Sequence, residues 1–239
     1  MGEMVTGAVR REMDRGSMAP HRHSLPMGLL LVEQGRLTPG QLREALEEQR
    51  HAAGESEETR RLGEWLIERG VLDEAALARA LSAQWNCPVL TLDACSPGEV
   101  AGALPRFLAE ATGALPVRVA GGRLLYLAFA GGLDRGLIAA LEAMTGVRVA
   151  AGIVPDSAFA PAQRAYLECV APRAHFLEAG NSWLLARALA RRIEAERPVE
   201  ARLRRVHGWF WLRMWRRPPA GLPRPEDVED VIGALGSLP

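Results

Sequence analysis

The sequence predicts an α+β protein. It has an N-terminal helical tandem-motif subdomain packed with a small α/β subdomain of mixed sheet and helices, followed by C-terminal helices. Three observations carry this. The pattern PMGLLLVEQGRLTPGQLREALEEQ at 26–49 returns at 61–84 as RLGEWLIERGVLDEAALARALSAQ. After Pro88 the chain turns to short apolar runs divided by glycine turns. From residue 182 onward leucine, valine and isoleucine recur at helical spacing among arginines and tryptophans.

Residues 1–24 mix Met, Gly, Arg and His without periodicity and read as a disordered arm, in which His21 and His23 are solvated residues rather than a metal site. The helical subdomain spans 25–86. In its first copy a short helix around Leu29, Leu30 and Val32 stops at Gly35, the residue type favoured just past a helix end. Leu37 anchors a turn, Thr38 is an N-cap, and Pro39 takes the first helical position. Leu42, Ala45, Leu46 and Gln49 share one face of the second helix. The second copy repeats each part: Gly70 stops, Leu72 anchors, Asp73 caps, and Leu77, Ala80, Leu81 and Gln84 form the face. Nine aligned positions are identical: Gly28/Gly63, Leu31/Leu66, Glu33/Glu68, Gly35/Gly70, Leu37/Leu72, Leu42/Leu77, Ala45/Ala80, Leu46/Leu81 and Gln49/Gln84. The link at 50–60, RHAAGESEETR, reads as polar and exposed.

The α+β subdomain spans 87–170. VLTL (89–92) predicts a short strand, 104–113 a helix, and PVRV (116–119) a strand turned back at Gly121-Gly122 into the strand LLYLAFA (124–130). A helix at 133–146 closed by Gly146, a strand at 147–154, and a helix at 156–168 capped by Asp156 or Ser157 complete it. Residues 182–197 and 198–215 read as two helices broken at Pro198. Leu185, Leu189 and Ile193 line the first, and Val199, Leu203, Val206 and Phe210 the second. The tail, 218–239, is a Pro-rich spacer and an acidic end that reads as one short helix.

Composition removes several function classes. The net charge is zero, so no whole-chain field selects a partner. Every basic residue is Arg, so neither a P-loop lysine nor a Schiff-base lysine exists in this sequence. Cys87, Cys95 and Cys169 are odd in number and lack CxxC spacing, which suits a reduced compartment. No apolar run is long enough for a membrane span and the first 25 residues lack a signal-peptide core, so a cytoplasmic location is expected. No nucleophile triad, metal-ligand cluster or paired-carboxylate motif stands out, and Asp134 and Glu142 read as helix surface. The chain is expected to be no enzyme and to need no cofactor.

The repeated pattern RLGxxLxxxGxLxxxxLxxALxxQ resembles the tandem motif of the N-terminal (MshEN or GspE-N type) domain of type II secretion and type IV pilus assembly ATPases. Its successors LPRFLAE, ALPVRVAGGRLLYLAFA, LEAMTG and AQRAYLE follow in the family's order, so the resemblance covers 26 to about 168. It implies binding of cyclic di-GMP, a bacterial second messenger, with each motif contacting part of the dinucleotide. On the resemblance the ligand residues are Arg61, Leu62, Gly63, Leu66, Gly70, Leu77 and Gln84, with Met27, Gly28, Leu31, Gly35, Leu42 and Gln49 as first-copy counterparts.

The residue types agree with that chemistry. An Arg guanidinium forks onto a guanine edge or a phosphate. A Gly two residues on lets backbone N–H approach a phosphate. The leucines make an apolar floor, and a Gln amide reaches a polar edge. The same leucines and glycines also suit any packed helix pair. The first copy carries Pro26 where the second has Arg61. The lost charged hydrogen bond corresponds to about 1.5–3 kcal/mol.

The segment after the resemblance departs from the family, whose motor domain would follow there. Ten Arg face three Glu between 184 and 217, with Trp209, Trp211 and Trp215 interleaved. Such helices lie on an anionic membrane surface, bind nucleic acid, or pack on the globular part; nucleic acid is the weakest of the three. Two functions follow from different classes. One is a non-enzymatic regulatory module binding cyclic di-GMP. The other is an adaptor docking, without nucleotide, on an inner-membrane or motor protein of a secretion or pilus apparatus.

Overall fold

The computed structural model describes residues 25–55 and 61–236, with side chains given from 25–51 and 61–236. The expected disordered arm and its two histidines lie outside the described residues. The chain is α+β. Among the described residues no helix is long and apolar enough to cross a membrane.

The two motif copies fold alike. Helix α1 (Met27–Glu33) is followed by α2 (Pro39–Glu55), and α3 (Leu62–Glu68) by α4 (Glu74–Trp85). Gly35 and Gly70 both hold φ +67°, the left-handed geometry that turns the chain out of the short helix. The carbonyl of Leu31 then accepts from the amides of Arg36 and Leu37 at 2.9 and 3.2 Å, and that of Leu66 from Val71 and Leu72 at the same distances. Thr38 caps α2 reciprocally with Gln41, each side chain accepting from the other's backbone N–H. Asp73 caps α4 through the amide of Ala76. Leu31, Leu37 and Ala45 meet Leu66, Leu72 and Ala80 in one buried cluster, so the repeat builds its own small core. Glu48 crosses between copies, accepting from the Trp65 indole at 2.8 Å and from Arg69 at 2.6 Å. The first part of the expected link, 50–55, continues α2, and its Arg50 and His51 are exposed.

The central part follows as α5 (Pro97–Val100), α6 (Arg106–Thr112), β1 (Ala114–Ala120), β2 (Leu124–Phe129), α7 (Arg135–Thr145), β3 (Arg148–Ile153) and α8 (Asp156–Glu168). Strand β2 lies centrally, antiparallel to β1 and parallel to β3. The strand expected at 89–92 reduces to one bridge between Val89 and Ile153. Helix α8 is not capped by Asp156 or Ser157: its N-cap is Pro155, and the amide and hydroxyl of Ser157 go to Glu74 of α4. That exchange ties the repeat to the sheet subdomain. Asp134 is no mere surface residue either. It caps α7 by accepting from the Leu137 amide at 2.9 Å. Glu142 accepts from the Val149 amide at 2.8 Å, joining α7 to β3.

The C-terminal region overturns the two-helix expectation. Helix α9 (Ser182–Glu196) is present, capped by Asn181. Residues 173–179, for which the sequence predicts no element, form β4 (Arg173–Ala179). The expected second helix is a hairpin, β5 (Glu200–Val206) and β6 (Trp209–Trp215), and the expected tail helix is a 3-10 turn at Pro225–Asp227 followed by β7 (Val228–Leu235). The sheet order is β4-β7-β6-β5, with β4 parallel to β7 and the other pairs antiparallel. Two features decide strand over helix. Trp, Phe and Val gain on a pleated surface, and the two-residue turn His207-Gly208 sets the register Val206 opposite Trp209.

Alternate residues of β6 then face opposite sides. Leu212 and Met214 pack under Leu185 and Leu189 of α9. Trp211 joins Val206 and Ile232 in the core shared with α4, α6, α7 and β1–β3. Arg213 lies between Trp211 and Trp215 on that inner face, fully buried. It forks onto Asp230 at 2.8 Å from both Nε and Nη2, and gives Nη1 to the Ala103 carbonyl at 3.0 Å. Of the three alternatives for this segment, burial of Arg213, Trp211 and Trp215 fits packing on the globular part, while Arg187, Arg191, Arg197, Arg204, Arg205, Arg216 and Arg217 stay exposed. Glu229 feels opposing effects: burial raises its pKa, but hydrogen bonds from Arg192 and Arg216 outweigh this and hold it below the usual carboxylate range.

Candidate functional site

The two copies converge on a cavity of about 550 Å³. From the first copy Pro26, Met27, Gly28, Leu42 and Leu46 line it, and from the second Arg61, Leu62, Gly63, Leu77, Leu81 and Gln84. The sheet subdomain closes it with Ala130, Gly131 and Asp156. This volume falls within the range of small-molecule pockets, about 300–1,000 Å³.

Helix pairing explains the shape. A Cβ on Gly28 would stand 2.5 Å from a methyl of Leu42, and one on Gly63 would stand 2.7 Å from a methyl of Leu77. Each glycine thus lets the leucine of the following helix sit down on the short one, and the paired leucines form the apolar wall. Neither glycine is needed for conformational reasons. Their role is close packing, beside whatever backbone approach they offer a ligand.

Arg61 stands at the junction of repeat and sheet. It is the N-cap residue of α3, its own amide donates to Glu64, and its guanidinium lies on the backbone of Gly131, where a Cβ would fall 2.1 Å from Nη1. Beside it lies Asp156. Burial raises the Asp156 pKa above the ordinary carboxylate value, Glu64 adds to that rise, Arg61 opposes it, and Glu74 adds again. Among the described residues lining the cavity Arg61 is the only cation, and Glu64 and Asp156 are the acids. Such a mix suits a ligand that presents an anionic or acceptor edge to arginine and N–H donors to carboxylates. It does not suit a bare polyanion.

Gln84 lines the cavity but is almost fully buried, and its amide nitrogen donates to the Leu25 carbonyl at 3.4 Å. The amide therefore also ties the start of the first copy to α4. The structure brings together Met27, Gly28, Leu42, Arg61, Leu62, Gly63, Leu77 and Gln84 of the residues expected on the resemblance. It leaves out Leu31 and Leu66, which lie wholly in the repeat's own core, and Gly35 and Gly70, which make the turns at the far helix ends. Gln49 is half-buried and does not line the cavity.

Trp85, Gly131 and Asp156 line the cavity without being among the residues expected there. The sequence presents Asp156 only as a helix cap. Trp85 directly follows Gln84, and a tryptophan at the end of a motif in a chain poor in aromatics is a usable signal. Its ring can stack on a planar base, an interaction contributing about 1–3 kcal/mol. The other two come from segments that only tertiary packing brings near the repeat. Among the described residues no group of His, Cys, Asp or Glu has the arrangement of a metal site.

No family model and no curated protein matches the chain. Solved structures do. One of MshE with cdg (c-di-GMP) is 28% identical over 59% of this chain and 99% of that one, with a TM-score of 0.46. Two of the N-terminal domain of XpsE are 20% and 19% identical over 58% and 56% of this chain and 91% and 89% of theirs, with TM-scores of 0.42 and 0.35. These alignments take in little more than half of this chain.

Proposed function

We propose that the cavity between the two motif copies binds cyclic di-GMP and that the chain acts as a non-enzymatic regulatory module. The observation that carries this is the meeting of both copies around one apolar cavity with the Arg61 guanidinium at its edge. The motif resemblance names the nucleotide, and the chemistry fits it. Paired leucines face bases and ribose. Arg61 meets a guanine O6/N7 edge or a phosphodiester oxygen. Asp156, with Glu64 beside it, accepts from the guanine N1–H and exocyclic amine. Trp85 offers a stacking surface.

Isothermal titration of the purified chain with cyclic di-GMP, beside Arg61→Ala and with GMP as control, tests the reading. Micromolar or tighter binding that the substitution weakens is the expected result. No heat and no competition at high ligand concentration would remove the sensor and leave the adaptor, to be sought among secretion-apparatus proteins.

A further inference from the structure

We propose that the C-terminal sheet reads whether the cleft around Trp85 is filled, through a contact chain that runs Trp85–Gly132–Asp134–His207. The ligand used as probe rests on the function proposed above; the contact chain does not.

The main cavity is not isolated. A second hollow of about 440 Å³ shares Arg61, Trp85, Gly131 and Asp156 with it. A third, of about 470 Å³, shares Trp85, Thr112, Gly132 and Leu133 with the second and ends at Asp134, Arg135 and His207. Trp85 is common to all three, so one side chain borders both the motif chamber and the open hollows that reach the C-terminal hairpin. The backbone of Gly132 sits directly on that ring: a Cβ there would lie 3.0 Å from indole Cζ2 and Nε1. The ring cannot move toward Gly132 without moving the backbone.

Two residues farther on, Asp134 uses both oxygens. Oδ1 caps α7 through the Leu137 amide, and Oδ2 pairs with His207 Nε2 at 2.5 Å. His207 is the first residue of the β5–β6 turn and holds φ +53°, so its side chain is aimed by a turn with little freedom. At the other end of α7, Arg202 of β5 donates to the carbonyls of Ala143 and Met144 at 3.1 and 2.9 Å. The β5–β6 hairpin thus holds α7 at both ends, through His207 of the turn and Arg202 of β5. A shift of the 131–134 loop displaces the α7 cap, and the hairpin must follow or release it. Packed elements respond to such shifts by switching between arrangements rather than by stretching. The coupling, once present, is reciprocal.

Hydrogen–deuterium exchange on the full chain, with and without cyclic di-GMP, tests this in the wild type, His207→Ala, Trp85→Ala and Trp85→Phe. In the wild type, saturating ligand is expected to slow exchange across 203–212 by about fivefold or more, the lower end of ordinary coupling. His207→Ala is expected to lose that slowing while keeping the protection at 61–64 and 130–132. Without ligand, Trp85→Ala is expected to change exchange at 203–212 relative to Trp85→Phe, with the β1–β2 amides unchanged as the control for folding. Protection at 61–64 with none at 203–212, or a full hairpin response in His207→Ala, would overturn the inference and leave the proposed function standing. If cyclic di-GMP binds nowhere, the proposed function falls instead. The two Trp85 variants then decide: a changed hairpin supports the contact chain, and an unchanged one overturns it.

Discussion

Residues 26–49 and 61–84 hold the same backbone in two chemical versions. Pro26 sits at φ −56°, ψ 147° before α1, and Arg61 at φ −73°, ψ 146° before α3, so the chain enters both short helices by the same path. Both leave by a glycine at φ +67° and an identical pair of hydrogen bonds to a leucine carbonyl. Both seat a leucine on a glycine. Yet one entry residue offers a guanidinium and an amide, and the other offers neither. What the repeat needs to fold is thus intact in both copies, while the polar groups that the proposed ligand would use are present in only one.

The largest expected effect breaks the shared scaffold. Gly63→Val places two methyls where Leu77 now sits and is expected to cost about 3 kcal/mol, the upper part of the usual overpacking range. Gly28→Val crowds Leu42 in the same way but should cost less. Leu77 belongs to the main core with Ala78 and Leu81, whereas Leu42 joins neither of the clusters around the repeat. Urea unfolding gives both numbers. Equal losses would mean that the copies carry equal weight in the fold, and no loss at Gly63 would contradict the leucine-on-glycine packing.

Next comes the difference in chemistry. Arg61→Ala removes the one cation among the described residues of the cavity. It is expected to weaken cyclic di-GMP binding by about thirtyfold, equivalent to about 2 kcal/mol. Arg61 is exposed, so the urea midpoint should not move with it. The reverse change sharpens the comparison. Pro26→Arg enters a backbone already in the conformation of Arg61, restores an N–H and a guanidinium, and is expected to tighten binding by about tenfold, the equivalent of one charged hydrogen bond. A Pro26→Arg variant that folds normally and leaves affinity unchanged would show that the first copy contributes only its apolar wall.

What the sequence makes legible follows the same division. Most elements of the repeat and of the α+β part are readable because they announce themselves locally, by Gly35 and Gly70, by the caps Thr38 and Asp73, and by Gly121-Gly122 between β1 and β2; the expected strand at 89–92 and the short α5 are the exceptions. Residues 198–235 defeat the helical reading for a physical reason. Strand β6 is buried on both faces, Trp211, Arg213 and Trp215 on one and Leu212 and Met214 on the other, so it lacks the polar–apolar alternation of a half-exposed strand. Arg213 reads as solvent-seeking until Asp230, in a segment whose sequence suggests a helix, is known to lie beside it. The site divides likewise. Arg61, Gly63, Leu77 and Gln84 can be named from the pattern, whereas Gly131 and Asp156 reach the cavity only through long-range packing.

The smallest expected effect concerns Asp156, which belongs to neither copy. Its pKa is raised in the folded chain, chiefly by burial and then by Glu64, so the fold holds its proton more tightly than the unfolded chain does. The stability it contributes is therefore fully present below the unfolded value and is lost as pH rises through the raised folded value. Ligand binding should run the opposite way. A carboxylate that accepts from guanine N–H groups must be ionised, so affinity should fall as pH drops from neutral through that raised pKa. The expected loss is up to about 1 kcal/mol, the scale of a single net hydrogen bond. Titrations across that range in the wild type and in Asp156→Asn measure it. The variant should bind more weakly at neutral pH and show a flat profile. An unaltered slope in Asp156→Asn would show that Asp156 does not carry the proton-linked step. No slope in either protein would mean that the base is held by stacking and by Arg61, with the second copy alone supplying the polar contacts.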